Sequence, residues 1–165
     1  MKPAVSVRAA SPADAEHIRA IYNQGIEDRV ATLELDPKSE QEMMAWLEAH
    51  SGRYEVVLAE HEGEIVGWAS LNPYSHRCAY DAVADLSVYV SRGWRGKGVG
   101  GALLSAIEER ARRRDFHKIV LFTLPFNELG QRLYRKMGYR EVGIFKEQGT
   151  LDGKLVDVMA MEKLL

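Results

Sequence analysis

Apolar positions along this chain change rhythm about every ten residues, and each change marks an element. Val5 to Ala9 reads as a first strand. Ser11-Pro12-Ala13-Asp14 supplies an N-cap, a proline at the first helical position and a capping-box acid. Ile18, Ile21, Tyr22 and Ile26 then follow at helical spacing, predicting a helix from about Pro12 to Gln24. Glu27 to Pro37 is charged and without period, hence a loop. Ser39 to Glu42 forms a second capping box, opening a helix that carries Met43, Met44, Trp46 and Leu47. Tyr54–Glu60 and Glu64–Leu71 are strands joined through His61-Glu62-Gly63, and a third strand covers about Ala82 to Val90. Gly98 to Arg114 is helical, with Leu103, Leu104 and Ile107 inward. Lys118–Thr123 is a strand, and Leu129–Met137 a short helix closed by Gly138. Glu141–Phe145 and Leu155–Met161 pair through Asp152-Gly153. The order β-α-α-β-β-β-α-β-α-β-β predicts an α/β (α+β) fold, a mixed central β-sheet with helices on both faces. A length of 165 residues suits one domain, residues 1–165.

Composition narrows the class mainly by exclusion. A net charge of −2 with 28% charged residues offers no nucleic-acid footprint and no acidic tail. The run Arg110, Arg112, Arg113 and Arg114 complements a helix C-terminus. Cys78 is the only cysteine, so no internal disulfide forms and a reducing compartment fits; with Arg77 alone beside it, it reads as a spectator thiol. No apolar core precedes Arg8, so no signal peptide is expected, and no run approaches the roughly 20 apolar residues of a membrane span. His50, His61, His76 and His117 lack metal-ligand spacing, and no metal is expected. These features predict a soluble cytoplasmic protein.

The chemistry concentrates where the third strand ends. Leu86 to Gly101 runs from an apolar strand through Arg95-Gly96-Lys97-Gly98-Val99-Gly100-Gly101 into a helix. Glycines let the backbone approach an anion without Cβ interference, and the N–H groups of the following helix point at that anion. The pattern is R-x-x-G-x-G, a pyrophosphate cradle; the other reading is a glycine-rich connection with no ligand. It does not continue as a P-loop, and no acid stands near Phe116 to Lys118 to hold the ribose of a dinucleotide.

An R-x-x-G-x-G turn entering a helix resembles the acetyl-CoA loop of the GNAT N-acetyltransferase superfamily, and the element order matches that fold over essentially the whole chain. The resemblance implies acetyl-CoA as co-substrate. It would be held by Arg95, Gly96, Lys97, Gly98, Val99 and Gly100, with the backbone of Val88, Tyr89 and Val90 pairing with the pantetheine arm and the Tyr89 side chain packing. Acetyl transfer to an amine needs a proton acceptor, a donor for the oxyanion and an acid or dipole for the departing thiolate, but no enzyme nucleophile. Asp85, in Tyr80-Asp81-Ala82-Val83-Ala84-Asp85-Leu86, is the leading carboxylate; the alternative is a solvent-facing strand residue. Tyr134 is the leading acid. Spacing alone reads it as core, but Asn127…Leu133-Tyr134…Gly138-Tyr139 is similar to a GNAT segment whose asparagine contacts the cofactor arm and whose tyrosine protonates the sulfur. Asn127 also suits a helix N-cap, and the two roles are compatible.

The segment Arg77-Cys-Ala-Tyr80-Asp81…Asp85-Leu-Ser-Val-Tyr-Val-Ser91 resembles phosphinothricin N-acetyltransferases, as do Ile21 to Thr32, which are closest to the arsinothricin-resistance branch, and Asp152-Gly153-Lys154 with Asp157. The implied substrates are glutamate-like amino acids bearing a tetrahedral acid, such as phosphinothricin, arsinothricin or methionine sulfoximine. Arg77 and Tyr80 would then face the acceptor, with Arg29, Thr32 and Leu33 on the same pocket; an arginine fork suits a carboxylate or phosphinate, the alternative being an exposed loop arginine. The chain departs from the subgroup twice: Asp85 stands where glutamate is usual, which favours a bridging water, and Tyr134 stands where phosphinothricin members often carry histidine. The resemblance also implies a homodimer. Two other functions fit the same motifs, a protein N-terminal, peptide or polyamine acetyltransferase and a non-catalytic acyl-CoA sensor.

Overall fold

The computed structural model describes residues 2–165; Met1, the first residue of the expected domain, lies outside the described residues. Seven strands form one sheet: β1 (Ser6–Ala9), β2 (Val56–His61), β3 (Glu64–Pro73), β4 (Val83–Val90), β5 (Lys118–Thr123), β6 (Arg140–Leu151) and β7 (Lys154–Leu164). Their spatial order is β1-β2-β3-β4-β5-β7-β6. Helices α1 (Ala15–Asp28), α2 (Glu40–Ala49), α3 (Val99–Arg113) and α4 (Glu128–Lys136) complete the fold. The expected mixed sheet with helices on both faces is therefore present. The inward stripe of α3, Leu103, Leu104 and Ile107, packs with Val57, Val66, Leu71 and Ile119. Across the sheet, Ile18 and Ile21 of α1 and Met43 and Leu47 of α2 cover Val56, Leu58 and Trp68.

Two elements outrun their sequence signals. Helix α1 continues to Asp28, beyond the expected end near Gln24, and closes on Arg29 in the left-handed region at φ +58°. Its last turn is fixed by side chains distant in sequence: Asp28 pairs with Arg92 and Arg95. Strand β6 extends from Arg140 to Leu151 rather than stopping at Phe145. Bulges between Glu141 and Gly143 and between Phe145 and Gly149 break its alternation, so the pattern vanishes while the ladder to β7 continues.

The one parallel pair shapes everything downstream. Strands β4 and β5 share only the register Val83↔Lys118, Ala84↔Ile119 and Asp85↔Val120. Beyond it, β4 runs on to Val90 beside β3, and β5 runs on to Thr123 beside β7. The two strands part like a wedge whose apex is Asp85.

At the far edge of the sheet, the Ser11 capping box ties α1 to β1. Ser11 N–H donates to Asp14 Oδ2 at 2.8 Å, and Arg8 clasps both Asp14 oxygens at 2.8 and 2.9 Å. Asp14 is only 6% exposed, and the Arg8 guanidinium holds its carboxyl at about 2. Because the folded value lies below the unfolded one, this stabilisation is full above about pH 4 and lost as pH falls toward 2. Asp14→Asn should cost roughly 1–2 kcal/mol in urea unfolding at pH 7, Arg8 being partly solvated, and that difference should close below about pH 3.

Candidate active site

The wedge opens into a cavity of about 870 Å3. One wall is β4 from Asp85 to Val90; the other is Phe122 to Leu124 with the start of α4. The edge of β4 past Asp85 has no strand beside it on this side, so its N–H and C=O groups face the cavity as a half-ladder. Alternation sends Val88 and Val90 against the α3 core, while Tyr89 stacks on Trp68 at 5.0 Å and meets Tyr22 edge-on at 4.9 Å. Gly25 makes room for that ring, since a Cβ there would lie 2.9 Å from Tyr89 Cδ1.

The glycine loop follows a single 3-10 turn, Arg92–Trp94, and closes one end of the cavity. Gly96 and Gly98 sit at φ +76° and +89°, and Gly98 is the N-cap of α3. L side chains rarely adopt that conformation, so glycine is required. The loop presents the first N–H groups of a 15-residue helix to the cavity. Arg95 turns the other way: its Nε donates to Val90 O at 3.2 Å and it pairs with Asp28 at 2.6 Å. It braces the loop, and anion contact falls to the backbone. Lys97 places its ammonium 5.4 Å over the Trp94 ring, and Val99 is buried under α3; neither lines the cavity. Lys2 does, beside Gly98, a basic residue the loop motif gave no hint of.

Asp85 lies at the apex, lining the cavity and accepting from Asn72 Nδ2 at 3.2 Å. Burial among apolar neighbours pushes its carboxyl up to about 6 against that hydrogen bond. Tyr134 reaches the same cavity from α4, edge-on to Tyr139 at 5.9 Å. Burial pushes its phenol up to about 12, so it keeps its proton at neutral pH. Asn127 caps α4, its Oδ1 accepting from Gly130 N–H at 3.2 Å, and also lines the cavity, so cap and wall coincide. Asp85, Tyr134, Asn127 and the glycine loop thus share one space.

The expected acceptor residues divide. Leu33 and Thr32 line the cavity, with Leu33 packed on Leu124, Leu151 and Val158 and against Gly149. Arg29 instead clamps its loop, donating to Ile26 O at 2.9 Å and to Asp152 at 3.1 Å. Arg77 and Tyr80 stand exposed on the β3–β4 connection, outside the cavity wall. Phe122, Phe126 and Leu129 are wall residues that periodicity could not single out, because an outward aromatic on a strand or turn looks like any surface residue.

Residues 18–139 match the model of the acetyltransferase (GNAT) family. The chain belongs to that family. It is 31% identical over 159 residues to the L-methionine sulfoximine/L-methionine sulfone acetyltransferase of Pseudomonas paraeruginosa, covering 95% of this chain and 92% of that one. Among solved structures, a ribosomal-protein-alanine N-acetyltransferase from Brucella melitensis superposes with a TM-score of 0.93 at 32% identity, covering 97% of this chain and 99% of that one. A GNAT phosphinothricin acetyltransferase from Sinorhizobium meliloti, in complex with AcCoA, gives 0.91 at 31%, covering 98% and 88%. This GNAT chain is accordingly an N-acetyltransferase. No helix among its described residues is long and apolar enough to cross a membrane, and no group of three or more His, Cys, Asp or Glu there is placed to hold a metal.

A carboxyl raised to about 6 by burial weakens the fold once it ionises. Stability should therefore fall as pH rises from about 4 to about 6 and stay lower above. Asp85→Asn keeps an acceptor for Asn72 without the charge. Thermal unfolding should show it more stable than the parent by about 2 kcal/mol at pH 8, with little difference at pH 4.

Proposed function

We propose that this enzyme transfers the acetyl group of acetyl-CoA to the α-amine of a small glutamate-like amino acid of the phosphinothricin, arsinothricin or methionine sulfoximine type, by direct attack in a ternary complex. The observation that carries the reading is Asp85, a carboxyl raised toward neutrality at the apex of a cavity shared with Tyr134 and the glycine loop. The glycine cradle fits a pyrophosphate, because a Cβ at Gly98 would fill the space beside Lys2 that the loop leaves open. The N–H groups from Gly96 to Gly100 hold the diphosphate, the open edge of β4 from Val88 to Val90 pairs with the pantetheine amides, and Asn127 meets the arm. Acetyl-CoA, when bound, supplies the activated acetyl carbon.

The chain's own residues then manage protons. Asp85, directly or through one water, takes a proton from the acceptor's ammonium and leaves a nucleophilic amine. Tyr134, protonated at neutral pH, donates to the departing sulfur. Leu33 and Thr32 border the acceptor's stem, while Arg77 and Tyr80 meet its acid group from the connection leading into β4, with Arg29 fixing the loop between. The enzyme works in the cytoplasm as a homodimer, a state that would cover Val142, Ile144 and Phe145, which are exposed on β6. The names of the relatives support this substrate class, and that of the Brucella structure makes a protein N-terminus the runner-up.

Thiol release should be followed with L-phosphinothricin, methionine sulfoximine, methionine sulfone, glutamate, spermidine and a short peptide. Selective turnover of the tetrahedral glutamate analogues is expected, with an acid limb in kcat/KM near pH 6, the value burial gives Asp85. Asp85→Asn should lower kcat by about 10²-fold or more, and Tyr134→Phe should lower kcat while sparing KM. Turnover of the peptide alone would move the acceptor to protein N-termini. Full rates in both variants would remove the mechanism.

A further inference from the structure

A chain of polar side chains runs from Asp85 through the sheet to the opposite rim. Asn72, opposite Asp85 in the β3–β4 register, donates through Nδ2 to Asp85 Oδ2 at 3.2 Å and to Ser87 Oγ at 3.0 Å. Its Oδ1 accepts from Ser70 Oγ at 3.0 Å and faces His50 Nε2 at 2.8 Å. His50 ends α2, its Nδ1 lying 2.9 Å from Trp46 O and its ring against the Trp46 indole at 4.1 Å. Beyond His50 lies a second hollow of about 250 Å3, lined by Ala10, Ser11, Pro12, Leu47, His50 and Val56. It shares no lining residue with the main cavity.

The donor count of this chain fixes where a proton sits. A backbone carbonyl only accepts, so Nδ1 carries a hydrogen. An amide oxygen also only accepts, so Nε2 carries one too, and the ring is an imidazolium. Turning the Asn72 amide over would present its NH2 to the lone pair of a neutral His50 and its oxygen to Asp85, which must then be a carboxylic acid. Ser70 and Ser87 follow either arrangement, because a hydroxyl both donates and accepts. The amide thus permits one proton in total, on the imidazole or on the carboxyl. Among the described residues neither Asp85 nor His50 joins an ion pair with a lysine, arginine or carboxylate. The other ionisable groups on this face are committed elsewhere: Tyr22 and Tyr89 to one another and Thr32, Asp14 to Arg8, and Glu55 to Arg110 and Arg114.

We propose that Asn72 and His50 are positioning residues that share one proton with Asp85, the amide holding His50 as imidazolium while Asp85 is a carboxylate and turning over when Asp85 takes the acceptor's proton. This rests on the reading of Asp85 as proton acceptor. The overall reaction converts an ammonium and a thioester into an amide, a thiol and one free proton. One ammonium proton goes to Asp85, and His50 releases its own into the second hollow. The other proton displaced from nitrogen replaces the one Tyr134 gives to sulfur. After product leaves, Asp85 returns its proton to solvent through the main cavity and His50 is recharged. The base is emptied of charge during chemistry without a water chain into the acyl site.

The first test is nitrogen NMR of 15N-histidine-labelled protein, comparing the parent with Asp85→Asn. Near pH 7.5 the parent should show both His50 nitrogens protonated, and Asp85→Asn a neutral ring with hydrogen on Nδ1 alone. The same protonation state in both proteins from about pH 5 to 9 would overturn the proposal. The second test compares His50→Phe with His50→Gln, which keeps a neutral N–H toward Asn72. The acid limb of kcat/KM should move by about one pH unit in the Phe variant and return in the Gln variant. Equal losses of kcat with an unmoved limb would mean a merely structural contact and would also overturn it. Full kcat in Asp85→Asn would instead remove the proton-acceptor reading, and the NMR comparison would still decide whether the proton is shared.

Discussion

Strands β4 and β5 are the one parallel pair in an otherwise antiparallel sheet, joined by the α3 crossover, and they stay paired for three residues. A longer ladder would close the sheet and leave no cavity. A shorter one would uncouple the halves, because this pair is the only seam between β1–β4 and β5–β7. The parting at Asp85 and Val120 therefore produces three things at once: an apical carboxyl, an unpaired backbone edge on β4, and a floor on which α3 and α4 meet. That floor is tight. A Cβ on Gly100 would lie 2.6 Å from Leu133 Cδ2, so glycine here serves helix approach as well as the cradle.

The loops around the wedge are held from a distance. Arg95, which sequence alone assigns to the anion, is more useful as a brace: with Arg92 it seizes Asp28 and so binds the end of α1 to the cofactor loop. The segment that follows Asp28 carries Thr32 and Leu33 into the cavity, and Arg29 anchors it to the β6–β7 turn through Asp152. Acceptor wall and cofactor loop are thereby mechanically joined, which is what a ternary complex requires of two binding regions.

How much of this was legible beforehand follows physical lines. Capping boxes at Ser11 and Ser39, the alternating strands and the glycine turn are local, and the chain carries them openly. Asp85 was readable because an acid on an apolar strand is costly unless it is used. The extension of α1 and the bulged half of β6 were not, since each depends on partners far away in sequence or on a ladder that survives broken alternation. His50 and Asn72 were also invisible as a pair. They are 22 residues apart, and only the β3–β4 register and the end of α2 bring them together.

The substitution of aspartate for the longer acid usual in the subgroup gains a physical sense from that register. Asp85 stands directly opposite Asn72, and its short side chain is within reach of the amide across the ladder. One more methylene would carry the carboxyl toward the acceptor and away from the amide. A base set back by one carbon calls for water to bridge it to the amine, yet it keeps an internal partner that moderates the cost of its burial. Reach is given up for control of protonation, and the sheet rather than the loop decides that balance.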